Sequence, residues 1–323
     1  MGNIDERVVR IFDDMEKNYD EITDLWYSWL FSRLHYFIAK GLCKNWPTPP
    51  AKVLDVGCGT GFQSFIYASL GSNVHGIDIS PALIHKAEEK ARKEWPINSL
   101  ELFEPSFPFV SKYSEKTRTI LLEKYKITPY VKPQFSVASA EKLPFDANTF
   151  DHVNCCGSVL SLCQSYELAI SEIHRVLKPG GTFVLEVEAK YTIDDLWVII
   201  DLLTKGMLHF ESTLSEALAP FKTPIKEHIT IDYPFGEDSN PVYMPLRLFS
   251  KSGLHRDLET AGLKPEKWTT IHSVTNIIPS TKLDTSKPSK LLSACFSALS
   301  SIEETLPVTM PGCSLVVWGK RNE

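Results

Sequence analysis

Val53-Leu-Asp-Val-Gly-Cys-Gly-Thr-Gly61 joins a short apolar run to glycines at 57, 59 and 61. The run reads as a buried strand, and "FQSFIYASLG" behind it reads as a helix. Glycines at such a junction let backbone approach a ligand closely, and the free amides at the helix start favour a polar or anionic group. A dinucleotide fingerprint, G-x-G-x-x-G, would need its last glycine at Phe62, so that pattern fails. The next strand, "NVHGID", ends at Asp78, 17 residues beyond Gly61, where a carboxylate can accept from the two hydroxyls of a ribose. A nucleoside without a pyrophosphate fits both observations.

Outward from this loop the alternation continues. Strand "NVHGID" is followed by helix "SPALIHKAEEKARKEW", with Ser80 as N-cap and Pro81 in the first turn. Strands "QFSVAS" and "FDHVNC", helix "YELAISEIHRVL", turn "KPGG" and strand "TFVLEVE" come next, then helix "SGLHRDLETAG" and strands "EKWTTIHS" and "SLVVWGKR". Seven strands alternating with helices predict an α/β fold, a parallel sheet covered on both faces. Three stretches interrupt it as insertions, at about 96–133, 190–249 and 275–311. The second reads as helical pieces around "DLWVIIDLL" and then a proline-punctuated stretch. Residues 1–45 precede the sheet as a helical segment, and 46–323 form the main domain.

The chain has 323 residues, 34 lysines and arginines against 40 acids, and a formal charge of −6, so no strongly basic field is available to hold nucleic acid. The first residues carry both signs of charge and no apolar core, unlike a secretory signal, and no apolar run reaches the length of a membrane span. The expectation is a cytoplasmic protein with a small-molecule substrate and no stable membrane insertion. Seven scattered cysteines without C-x-x-C spacing argue for reduced thiols, and no pair of histidines has helix spacing for a metal. No metal is expected, and the oligomeric state stays open.

With these motifs in hand the sequence resembles the class I S-adenosylmethionine-dependent methyltransferases, and among them the ubiquinone/menaquinone-biosynthesis type. The resemblance rests on "VLDVGCGTG", "VHGIDIS", "ASAEKLPF", "FDHVNCCGSVL" and "RVLKPGG", in the family's order, over about 50–190 less the first insertion. It implies a Rossmann-like, seven-stranded, mostly parallel sheet, an N-terminal helical lid and inserted helical cap segments. It implies S-adenosylmethionine as cofactor, with Gly57, Cys58, Gly59 and Gly61 passing under its methionine end and Asp55 helping to position the amino group. Asp78 would bind the ribose and Ile79 face the adenine, with Ser139 and Ala140 beside it. Ser139 departs from the usual "GDAExLPF", whose aspartate meets the adenine. Tyr19 would lie near the methionine end, and Cys155 would line it.

Methyl transfer from a sulfonium has an activated leaving group, so the protein mainly aligns the acceptor and excludes water. A base is needed only where the acceptor must lose a proton. Glu186 and Glu188 share one face at the end of "TFVLEVE"; Glu188 is a candidate base or substrate-orienting group, or a cap for a neighbouring helix. His272, with Asn276 after it, is a candidate proton shuttle or a hydrogen-bonded rim histidine. Trp26 and Tyr27 belong to an aromatic helix that either covers an apolar acceptor or docks on the body. By strand alternation Cys155 and Cys156 point to opposite faces, which argues against one chelate and makes the segment a wall. The resulting expectation is methyl transfer to a small, largely apolar acceptor, quinone- or isoprenoid-like. A thiol or metalloid methyltransferase, a cysteine-dependent pyrimidine methyltransferase and a non-catalytic cofactor-binding protein are the alternatives.

Overall fold

In the computed structural model the described residues are 6–16, 19–20, 25–45, 51–92, 115–117, 119–120, 123, 130–210, 213–235, 242–305 and 311–323. The strands are β1 Lys52–Val56, β2 Asn73–Asp78, β3 Gln134–Val137, β4 Phe150–Cys155, β5 Leu177–Glu188, β6 Ile229–Phe235, β7 Val242–Leu248, β8 Leu263–Ile271 and β9 Ser314–Arg321. Seven of them form one sheet in the order β3-β2-β1-β4-β5-β9-β8, with β9 antiparallel to both neighbours. The long helices are α1 Glu6–Met15, α2 Leu25–Asn45, α3 Phe62–Ser69, α4 Pro81–Arg92, α5 Tyr166–Val176, α6 Asp194–Leu203, α7 Lys251–Thr260 and α8 Lys290–Thr305.

Strand alternation divides the core into two layers. Val53, Cys156, Val184 and Val316 join α2, α3 and α8 on one face, and Leu54, Cys155, Phe183, Leu185 and Val317 join α5 and α7 on the other. The two thiols do point apart, as the alternation predicts. The sheet changes winding direction between β1 and β4, and the loops leaving these strands open a crevice at their carboxyl ends. The sequence-predicted strands all form.

Within the second insertion β6 and β7 make an antiparallel hairpin, from Ile229 opposite Leu248 to Phe235 opposite Val242. The insertion, expected as a helical cap ending in a proline-punctuated stretch, thus ends in a ribbon, which tolerates Pro234 and Pro245 because each of its strands is an edge. In the third insertion α8 returns over β8, where buried Glu303 accepts from the backbone N–H groups of His272 (3.1 Å), Ser273 (3.0 Å) and Thr275 (2.9 Å) and from the Thr275 hydroxyl (2.8 Å). His272 itself sits at φ +58, a left-handed conformation that this carboxylate fastens. Glu303→Ala would leave three buried amides without an acceptor, so it should lower unfolding free energy by about 3 kcal/mol or more in urea titrations. A change within a few tenths of the wild type would show that the turn holds itself.

Candidate cofactor and acceptor site

The glycine loop is held from below. Asp55 is the cross-strand neighbour of Asn154, and its two oxygens accept from the Asn154 amide (2.7 Å) and the Ser64 hydroxyl (2.5 Å). The same amide donates to Gln63 (2.6 Å), Tyr67 donates to Asn154 (3.0 Å), and Tyr67 meets His152, which pairs with Thr182. Burial pushes Asp55 up to about 6 against these hydrogen bonds, and burial alone takes His152 down to about 3. Above this network Gly57 and Cys58 both donate to the Ile77 carbonyl, and Gly57 takes φ +71. A side chain at Gly57 would collide with Val159, the first residue of the short helical turn after β4.

A cleft lies over this loop, about 770 Å³ including its mouth. From the strand ends it is lined by Gly57, Asp78, Ile79, Ala138, Ser139, Ala140, Glu141, Gly157 and Val159, and from above by Val8, Phe12 and Tyr19. Asp78 accepts from the amides of Gly59 (2.9 Å) and Ser80 (2.9 Å), one on each oxygen, which leaves each oxygen a further lone pair. Burial raises its pKa and these amides oppose the rise. Ser139 accepts from the Glu141 amide (3.2 Å), so its hydroxyl proton is available to a ligand. The loop "EKLPF" is set by Arg175, which donates to the carbonyls of Phe145 (2.7 Å) and Leu143 (3.0 Å) and pairs with Glu172 (2.6 Å).

The N-terminal segment is fastened across the cleft by charge. Asp20 accepts from the Thr60 hydroxyl (2.6 Å) and pairs with Lys90 (2.7 Å), Lys86 donates to the Glu16 carbonyl, and Asp13 accepts from the Ser80 hydroxyl and the Ala82 amide. This puts Tyr19 against Gly59, where an added Cβ would lie 2.9 Å from its hydroxyl. Burial is the main cause of the raised Tyr19 pKa, with Asp78 next. Val8 and Ile11 of α1 pack on Met244 of the hairpin, with Phe12, Ile79 and Leu162 against them.

Of the residues singled out from sequence, Tyr19, Gly57, Asp78, Ile79, Ser139 and Ala140 meet in this cleft. Others do not. Asp55 is under the loop with both oxygens engaged, and the Cys58 and Cys155 side chains are buried below it. Gly59 is covered by Tyr19 and Gly61 is backed by Phe65 and Phe135. Trp26 packs on His272 at 4.3 Å between tilted rings and Tyr27 is surface-exposed beside Phe31, so the aromatic helix α2 is docked on the body and the cleft is covered by α1 instead. Trp29 explains why: it is fully buried against Phe296 and donates to Ser300 (2.9 Å).

His272 is also structural here. Its nitrogens meet Thr275 (2.8 Å) and Asn276 (2.9 Å), burial lowers it to about 3, and Asn276 accepts in turn from Thr192. Asp194, His272 and Cys313 bring donor atoms within 4.8 Å of one another, but Thr275, Asn276 and Ser280 already engage the histidine and the aspartate. Glu186 accepts from the amides of Gly157 (2.9 Å) and Ser158 (2.7 Å), and Glu188 accepts from the Ser158 hydroxyl (2.6 Å). Both glutamates therefore position the Gly157 wall rather than face the cleft. Sequence reasoning missed Val8, Phe12, Glu141 and Gln164 as cleft residues. The quoted "ASAEKLPF" already contained Glu141; the other three carry no motif.

Burial, and next Glu186, raises the Glu188 pKa to about 8. The folded chain then keeps a proton that the unfolded chain gives up near the ordinary carboxylate value. The stability from this proton is complete below about pH 4 and is lost as the pH rises toward 8. Glu188→Gln should accordingly flatten the fall in melting temperature between about pH 5 and 8. An unchanged pH profile in that variant would refute the protonated glutamate.

Comparison with known proteins places the chain. Two family models for a methyltransferase domain match residues 48–99 and 109–185. The Saccharophagus degradans biotin biosynthesis bifunctional protein BioHC is 24% identical over 61% of this chain and 28% of its own length. The Bartonella bacilliformis ubiquinone/menaquinone biosynthesis C-methyltransferase UbiE is 28% identical over 58% of this chain and 62% of its own. The chain thus spans less than two thirds of either relative. The methyltransferase solved in complex with the Haloferax volcanii Trm112 methyltransferase activator has the same fold, with a TM-score of 0.52 at 16% identity over 97% of this chain and 98% of that one. Residues 48–99 and 109–185 thus carry methyltransferase-domain sequence, and the chain resembles the ubiquinone/menaquinone-biosynthesis methyltransferases.

Proposed function

We propose that the protein transfers a methyl group from S-adenosylmethionine to a small, largely apolar acceptor such as a quinone or an isoprenoid-like molecule. The observation that carries this reading is the apolar closure of the cleft, in which Val8, Ile11 and Phe12 of α1 meet Met244 of the hairpin and Leu162. Relatives named as demethylmenaquinone and ubiquinone/menaquinone methyltransferases support the quinone class.

The cradle suits the cofactor on the chain's own terms. The Asp78 carboxylate keeps a lone pair on each oxygen for a pair of ribose hydroxyls, and Ser139 has a hydroxyl proton to give an adenine nitrogen. Gly57 leaves no room for a side chain, and Tyr19 closes the far side over Gly59. S-adenosylmethionine supplies an electrophilic methyl with a neutral leaving group, so the chain's work is alignment and the exclusion of water. Phe12 and Val8 would press an apolar acceptor toward the Gly157 wall that Glu186 and Glu188 hold in place. Among the described residues Cys163 is the one thiol lining this cleft, which favours the apolar acceptor over a thiol or metalloid.

The test is acceptor-dependent formation of S-adenosylhomocysteine from a panel of demethylated quinones, prenylated phenols, small thiols and arsenite. Turnover confined to the apolar members is expected; turnover confined to thiols or arsenite, or tight cofactor binding with no product from any member, would overturn the proposal. Asp78→Ala should weaken cofactor binding by about tenfold or more, the value of one good pair of hydrogen bonds to a charged group, whereas Cys155→Ala and Cys156→Ala should each retain it. Deleting residues 1–20 removes α1 and its acidic anchors while sparing the core tryptophan of α2, and should abolish turnover. Full activity in that truncation would mean that α1 is no lid.

A further inference from the structure

The register of the hairpin puts Tyr233 opposite Met244, so the two side chains share the inner face of the ribbon, with Phe235 two residues on beside them. Met244 is fully buried among Val8, Ile11, Phe12 and Leu162, and all of these but Ile11 line the cleft. Phe235 packs on the same cluster, and its ring lies 5.2 Å from that of Tyr233. Tyr233 thus belongs to the face that closes the acceptor end. Yet it is not sealed like Met244, since 41% of it stays exposed. An inner-face side chain with this much exposure borders a gap between the ribbon and the body it covers.

What surrounds that gap is polar. Burial of the Tyr233 hydroxyl is the first cause of its raised pKa, so the open side of the ring is not its hydroxyl end; Glu188, Cys313, Asp194 and Asp284 follow as causes. These neighbours are engaged elsewhere: Glu188 accepts from the hydroxyl of Ser158, next to Gly157 of the cleft wall, and Asp194 accepts from the Ser280 amide and the Cys313 thiol. Tyr233 is different. Among the described residues its hydroxyl meets no hydrogen-bond partner. An enclosed hydroxyl in this state costs stability until a water or a ligand completes it.

We infer that the Tyr233 hydroxyl holds an uncharged oxygen, a hydroxyl or a carbonyl, at the methylated end of the acceptor, an inference that rests on the apolar-acceptor reading above. A phenol can donate to such an oxygen and, where that oxygen carries a proton, can accept from it. The surrounding charge sets the limit. None of the groups that act most on Tyr233 is a cation, so a carboxylate or phosphate placed there would be buried without a counter-charge, which a neutral oxygen does not need. A largely apolar site with one such group orients its ligand by it and rejects analogues that lack the partner oxygen. Tyr233 is therefore an acceptor-binding residue, and it decides which end of an apolar molecule is turned toward the Gly157 wall.

The experiment is calorimetric binding to the full chain in the presence of S-adenosylhomocysteine, with three probes of one shape: a prenylated phenol, the prenylated benzene without the oxygen, and the prenylated benzoate. The phenol is expected to bind about tenfold more tightly than the benzene, and the benzoate no more tightly than the benzene. Tyr233→Phe should weaken the phenol to the level of the benzene while leaving the benzene and S-adenosylhomocysteine where they were, a pattern that lost packing would not give. Tyr243→Phe, on the exposed outer face, should change nothing. The wild-type ranking tests the inference even if the Tyr233 variant does not fold. Equal binding of phenol and benzene by the wild type, tightest binding of the benzoate, an unchanged phenol in Tyr233→Phe, or no binding of any probe would overturn the inference. Turnover of the acceptor panel separates the two readings: turnover with equal binding of phenol and benzene sinks the role of Tyr233 alone, and phenol binding that depends on Tyr233 with no turnover of any apolar member sinks the reaction alone.

Discussion

The Asp55–Asn154 hydrogen bond is the interaction on which the rest of the cofactor end depends. It joins the two strands between which the sheet reverses its winding, directly under the place where both must end in loops. A carboxylate at this depth is costly unless its oxygens are satisfied, and the partners that satisfy it are Ser64 of α3 and Asn154 of β4. Satisfying one acid therefore fixes the angle at which α3 leaves the glycine loop and the level at which β4 stops. The loop's glycines are then free to serve the ligand, since they are not needed to hold the helix. In this arrangement Asp55 is a positioning residue, and Asp78, unlike it, has access to the cleft.

The same device recurs at three other strand ends. Asp78 takes the amides of Gly59 and Ser80, Glu186 those of Gly157 and Ser158, and Glu303 those of His272, Ser273 and Thr275. Each acid gathers backbone N–H groups from a turn whose residues take positive φ or leave the ladder abruptly, Gly157 at +93 and His272 at +58 among them. Charge-assisted bonds of this kind are among the strong ones, and they let irregular backbone sit where a ligand needs it. Where the acid faces the cleft it can also serve the ligand. Where it is sealed, as at Glu303, it serves geometry alone.

This distinction explains what was legible in the sequence. The seven strands and the cofactor end could be read because strand alternation and glycine spacing are local properties: "VLDVGCGTG" and "VHGID" announce their own conformations. Whether an acid or histidine at a strand end faces a ligand is decided by segments that arrive from elsewhere. His272 is sealed by Trp26, 246 residues earlier in the chain, and by Glu303 of α8, and nothing adjacent to "TTIHS" announces either. The aromatic richness of α2 was a sound sign of burial and a poor sign of which surface it buries, because Trp29 serves a core equally well against Phe296. The lid role falls instead to α1 and the residues after it, whose evidence lies in Asp13, Glu16 and Asp20 finding Ser80 just before α4 and Lys86 and Lys90 on it.

Acceptor choice follows the same division. The strand-end loops that meet the cofactor belong to the sheet and are constrained by its register, whereas α1 and the hairpin that close the acceptor side hang from the N-terminus and from the second insertion. Neither is tied to the sheet by a ladder running through the core: the hairpin's contact with it is the bridge between Ala189 and Phe249 and the bonds beside it. The hairpin's sequence is thereby less constrained than that of the N-terminal segment, whose Tyr19, Asp13 and Asp20 also meet the glycine loop and the end of β2. Met244 and Tyr233 oppose each other across the ribbon and so share its inner face, while Tyr243, one residue before Met244, stands exposed on the other. Along this two-residue repeat the inner face can change its side chains toward the acceptor while the outer face stays with solvent.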